Sequence, residues 1–203
     1  MYGGFDSWRR TRELRGGKKK NQKKEGDKMS YEEFYSYTFG GQKIYYLRPD
    51  LATISITEIA HALSLINRFT GQTSWPYSVA QHSFILSLLV SDENKLDALL
   101  HDAAECYLGD VASPLKRLLN GTYTDLEAIW NEEIRKKFNL PMCESEEVEE
   151  KDHLLTEYEL KYFIKSDHPV DFIPNVSEKF FDYYDFKYMT GLFLDRFYRL
   201  RRN

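Results

Sequence analysis

The stretch LLHDAAECYLGDVASPLK (99–116) sets His101 and Asp102 side by side, with Glu105 about one helical turn further on. Neighbouring side chains on a helix diverge by about 100°, so this pair cannot share one apolar core face. They can still close on one ion set off the flank of the helix. An imidazole with a carboxylate suits a borderline divalent metal such as zinc, manganese, cobalt or iron better than calcium. Glu105, three residues after Asp102 and four after His101, projects from the same flank. A general acid/base, or a group that orients water, belongs there. His82, in SVAQHSF (78–84), sits on the preceding apolar segment and is placed to reach the same ion. Each of these residues alone is ordinary in a helical core. Together they would each incur desolvation on the order of several kcal/mol unless one ion, or a closed polar network, compensated them.

Such a cluster needs helices that hold it away from water. The chain has 203 residues, 42% hydrophobic and 30% charged, enough for one domain with a buried core. Apolar spacing predicts a helix that starts behind Thr57 or nearby and runs to 66, and others over 79–90, 94–107, 124–138, 148–163 and 186–200, with 79–90 packed antiparallel on 94–107. Before them, YSYTF, Gly40-Gly41 and KIYYL read as a β-hairpin over 35–47. The expected fold class is an all-α bundle with a short hairpin at its start.

Charge is unevenly shared along the chain. The net charge is −4, but residues 1–29 hold ten basic residues against four acidic, a net +6, which leaves −10 on the remaining 174. Residues 1–29 read as a basic flexible tail and 30–203 as the folded domain. An acidic body argues against nucleic-acid binding by the domain itself, although the tail offers an anion contact. No run approaches the roughly 18 consecutive apolar residues of a membrane span, and no secretory pattern is present, so a cytoplasmic protein without membrane partners is expected. Cys106 and Cys143 read as free thiols.

The blocks IAHALSLINRF (59–69), YSVAQHS (77–83), LLHDAAECYLGDVASPLKRLL (99–119) and EEKDHLLTEYE (149–159) resemble the HD-domain metal-dependent phosphohydrolases, in order and in spacing. The similarity is to the branch with deoxynucleoside 5′-nucleotidases and with phage and prophage dATP triphosphohydrolases, and it covers about 39–163. It implies an HD-type helical bundle and one divalent ion (manganese, cobalt or zinc, with magnesium admissible) on His82, His101, Asp102 and Asp152. It also implies Glu105 as the carboxylate assisting the attacking water, Asp110 as a second acid beside the scissile phosphate, and Arg68 as a catalytic, phosphate-binding arginine. Phe69 then lies against the deoxyribose and Lys116 meets the outer phosphates.

The implied activity is phosphate removal from deoxynucleotides, either as orthophosphate from a monophosphate or, with a tilt from Lys116, as triphosphate from a dNTP. Homo-oligomers are common in this family, and FFDYYDF (180–186) would supply an interface or cap the core. The chain departs from the pattern at Lys151, where a small residue usually precedes the last aspartate, so Glu149, Glu150 and Glu157 compete with Asp152. The loop TSWPYS (73–78) replaces a more basic run; Trp75 and Tyr77 there either line a base pocket or anchor the loop. His61, His153 and His168 have no partner pattern and read as structural or exposed. The alternatives are a phosphodiesterase on cyclic or oligomeric nucleotides and a non-catalytic module that binds nucleotides or nucleic acid.

Overall fold

The computed structural model describes residues 31–119, 121–164 and 177–202. The basic segment 1–29 and His168 lie outside the described residues. The chain divides into two units, Met1–Ser30 and Tyr31–Asn203, and the second contains every element below.

The architecture is mainly helical, with one small antiparallel hairpin: β1 (Tyr35–Tyr37) pairs with β2 (Lys43–Tyr45) in the register Tyr35↔Tyr45, Ser36↔Ile44 and Tyr37↔Lys43. Gly41 turns the hairpin in the left-handed region, at φ 79°, where a side chain would be strained. The helices are α1 (Ile56–Leu65), α2 (Val79–Leu89), α3 (Lys95–Leu100), α4 (Glu105–Leu108), α5 (Ser113–Leu118), α6 (Thr122–Phe138), α7 (Glu146–Ile164) and α8 (Phe186–Leu200). Two of the starts are capped by a side chain. The Ser78 hydroxyl accepts from Gln81 N at α2, and the Asp185 carboxylate accepts from Lys187 N and Tyr188 N at α8.

Helix α2 is the centre of the domain, buried at every residue from Val79 to Ser87. It packs on α1, α3, α7 and α8, and α8 also packs on α1 and α3. Ile59, Leu63, Ile85, Leu86, Leu99, Leu155 and Phe193 fill the core between them, and Trp130 of α6 stacks on Tyr107. In the run FFDYYDF, Phe181 seals the core while Tyr183 and Phe186 face outward.

The expected helix over 94–107 is not continuous. It runs as α3, then a string of turns at His101–Ala104, then α4. Backbone bonds tighten to the i→i−3 pattern there, with Ala103 N on Leu100 O and Glu105 N on Asp102 O, both at 3.0 Å. The α-helical hydrogen-bond pattern is therefore interrupted at the residues where chemistry is expected, while His101 keeps helical dihedrals (φ −59°, ψ −40°). Helix α5 is an element that apolar spacing missed, although Pro114 in its first turn marks a helix start.

Candidate metal centre

Three segments bring the cluster together. Helix α2 carries His82, the turns after α3 carry His101 and Asp102, and α7 carries Asp152, Thr156 and Glu159 at i, i+4 and i+7 on one face. A fourth segment, the loop between α1 and α2, is pinched at its base by Arg68 N on Tyr77 O and Val79 N on Ile66 O, both 2.9 Å. Inside the loop Phe69 (φ 55°) and Thr70 (φ 52°) are successive non-glycine residues in the left-handed region. That conformation costs on the order of 1–2 kcal/mol per residue, and backbone strain of this kind gathers at functional sites.

The two imidazoles are held alike. His82 Nδ1 is 2.6 Å from Glu159 Oε1 and His101 Nδ1 is 2.8 Å from the Ala98 carbonyl. Both oxygens accept, so each Nδ1 carries a proton and each Nε2 faces the cluster. His82 Nε2 lies 2.9 Å from Asp152 Oδ1, and His101 Nε2 lies 3.0 Å from Asp102 Oδ2 and 3.9 Å from Asp152 Oδ1. Despite these distances neither buried Nε2 is aligned for a hydrogen bond. The ligand atoms of His82, His101 and Asp102 all fall within 4.8 Å of one another. Nitrogens that crowd carboxylates without bonding to them fit donors aimed at a shared point, and a His/Asp donor set fits a borderline divalent ion.

The charges agree with that fit. Burial opposes a charge on His101, yet Asp102 and Asp152 outweigh it and raise its pKa to about 10; burial and Arg68 oppose charge on His82, and Glu159 and Asp152 raise it. Burial likewise pushes Asp102 upward, but His101, His82 and Arg68 hold it down at about 2. The cluster thus demands positive charge, as protons on the imidazoles or as a cation in their place. Glu105, 4% exposed, goes the other way: burial, then Asp102 and Asp110, push it well above the carboxylate range. Burial also raises Asp110.

Two cations flank the carboxylates. Arg68 gives Nε to Glu159 Oε2 (3.0 Å) and Nη2 to Thr156 Oγ1 (2.9 Å), and its Nη1 is 3.5 Å from Asp102 Oδ2. Lys116 Nζ lies 2.6 Å from Glu127 Oε1 and 3.7 Å from Glu105 Oε1. Phe69, half-buried, lies under the Arg68 guanidinium at 5.3 Å. A cavity of about 360 Å³ opens beside His101, lined also by Asn131, Arg135, Met142 and Glu144.

The structure brings together His82, His101, Asp102, Asp152 and Arg68, and places Lys116 against Glu105. Of the rivals to Asp152, Glu150 pairs with Lys151 and Glu157 faces His153. Of the two alternatives for Trp75 and Tyr77, a base pocket or an anchor for the loop, the contacts favour the anchor. Tyr77 is fully buried and its hydroxyl donates to Glu159 Oε1 at 2.6 Å, so it meets no ligand. Trp75 anchors its loop: Nε1 donates to Phe181 O and the ring packs edge-on to Tyr162 and Phe163. His61 stacks on Phe39 away from the cluster. Sequence reasoning missed Glu159, which hides in an acid-rich helix; its position seven residues after Asp152 was the available signal. It also missed Glu127 as the partner of Lys116.

No protein-family model matches the chain. Two curated proteins, both uncharacterized, are similar to it. YfdR of Escherichia coli is 45% identical over 104 residues, covering 51% of this chain and 58% of that protein. RCAP_rcc00048 of Rhodobacter capsulatus is 36% identical over 110 residues, covering 50% of this chain and 56% of that protein. The chain spans a little over half the length of these curated relatives.

Proposed function

We propose that this chain is a metal-dependent phosphohydrolase of the HD type acting on deoxynucleotides. The observation that carries the reading is the pair of imidazoles with Nδ1 engaged and a buried Nε2 turned to Asp102 and Asp152 without an aligned hydrogen bond. His82, His101, Asp102 and Asp152 would hold one divalent ion, manganese, cobalt or zinc. When bound, such an ion supplies Lewis acidity, polarising a phosphoryl oxygen and acidifying water.

The chain's own groups supply the rest. Arg68 and Lys116 bring positive charge to the edge of the cluster, where charge develops on the phosphoryl oxygens during transfer. Glu105, whose carboxyl burial and its acidic neighbours push well above the ordinary carboxylate range, is suited to carry a proton to the departing oxygen. Asp110 adds a second carboxyl beside it. Phe69, half-buried beside the Arg68 guanidinium, offers a ring for the sugar. The bonds balance as hydrolysis: a water oxygen joins phosphorus, the ester or anhydride P–O bond breaks, and the oxygen that leaves takes a proton.

The test is to incubate the purified full chain with manganese or cobalt and panels of deoxynucleoside mono- and triphosphates. Orthophosphate or triphosphate release that disappears in His101→Ala is expected. No phosphate species from any substrate, or full release by His101→Ala, overturns the reading.

A further inference from the structure

Glu159 lies beneath the candidate metal ligands rather than among them, and its surroundings are unusually complete. The residue is 0% exposed. One oxygen, Oε1, accepts from the Tyr77 hydroxyl and from His82 Nδ1, both at 2.6 Å; the other, Oε2, accepts from Arg68 Nε at 3.0 Å. Arg68 then passes Nη2 to Thr156 Oγ1, and that hydroxyl donates onward to Asp152 Oδ1 at 3.3 Å. A single buried carboxylate therefore fixes the imidazole on one side and the guanidinium on the other, and a second path returns from the guanidinium to Asp152. A carboxylate whose only task was packing would be replaced at no loss by an apolar side chain of similar volume, since burying it incurs a large desolvation penalty. Two of its three bonds instead go to groups that face the cluster, His82 and Arg68.

Resting on the metal-centre reading above, we infer that Glu159 is a positioning residue that couples His82 to Arg68: it orients the imidazole with Nε2 toward the cluster and sets the guanidinium at its edge. Outer-shell carboxylates on ligating histidines fix ring orientation and raise ligand basicity, and their loss typically weakens metal binding about 10–100-fold. Because Glu159 also bonds Arg68, its replacement reaches two binding events at once, that of the ion and that of a phosphate. Tyr77 steadies the carboxylate through one oxygen only.

The experiment uses the full chain and its Glu159→Gln variant. Mn²⁺ affinity is measured by calorimetry, inorganic phosphate affinity in the Mn²⁺-loaded proteins, and thermal unfolding in the absence of metal. Mn²⁺ affinity about 10–100-fold weaker in Glu159→Gln, together with weaker phosphate binding, is expected. A folded Glu159→Gln protein that binds Mn²⁺ within twofold of wild type overturns the positioning role, whatever its unfolding temperature. Should that variant not fold, ¹⁵N-histidine spectra of the Zn²⁺-loaded wild type decide: a slowly exchanging His82 Nδ1 proton with Nε2 on the ion supports the inference, and Nδ1 on the ion overturns it. If the wild type binds neither ion, the metal-centre reading falls and this inference with it; binding by the wild type that Glu159→Gln leaves unchanged removes the inference alone.

Discussion

Arg68 and Lys116 both bring positive charge to the carboxylates around Asp102, and they are held in different ways. The Arg68 side chain is 11% exposed and fixed through Glu159, Thr156 and a strained loop whose neighbouring residues Phe69 and Thr70 sit at positive φ. Lys116 is 21% exposed, stands on the six-residue helix α5, and reaches Glu127 with Glu105 further off. Arg68 is a planar fork whose bonds run in set directions; Lys116 is a point charge on a flexible stem. The difference divides the site into a rigid wall, fixed by several directed bonds, and an arm held mainly by one ion pair.

Arg68→Met tests the rigid wall most severely. It leaves Glu159 buried with His82 and Tyr77 but without its guanidinium, and breaking a buried pair by removing one partner costs about 3–5 kcal/mol. Denaturant unfolding is expected to show a loss of that size, and the proposed phosphohydrolase activity predicts weakened phosphate release as well. A change below about 1 kcal/mol would mean the wall is no more rigid than the arm.

Lys116→Met is the matching change on the arm. Its pairs are partly solvated, so stability is expected to move by less than about 1 kcal/mol, while the proposed activity predicts a fall in turnover of phosphate substrates. A stability loss equal to that of Arg68→Met would erase the distinction between the two cations.

The two halves of the site were also unequally legible from the amino-acid sequence. His82, His101, Asp102 and Glu105 announce themselves because imidazoles and carboxylates are out of place on apolar segments. Glu159 does not, because EEVEEKDHLLTEYE reads as a solvated acidic face, and only burial separates Glu159 from its exposed neighbours Glu149 and Glu150. The break in the helix at His101–Ala104 carries no glycine or proline to mark it; it arises where side chains converge on the cluster. Trp75 and Tyr77 show that an aromatic residue near a site is not informative about direction. Both point to the protein, one to Phe181 O and one to Glu159. The longer helices were readable because their apolar spacing follows the core they bury, as in α6, α7 and α8.

The central claim is that His82, His101, Asp102 and Asp152 form a cation site, and calorimetric titration of the full chain with Mn²⁺ tests it most directly. The account predicts one ion per chain, with affinity on the order of 100-fold weaker or worse in a folded His101→Ala variant. With the neighbouring carboxylates raising His101 to about 10, an arriving ion displaces a proton, so binding releases protons to the buffer and tightens as pH rises from about 6 to about 9. An absence of binding, binding indifferent to His101→Ala, or affinity that falls as pH rises would contradict it.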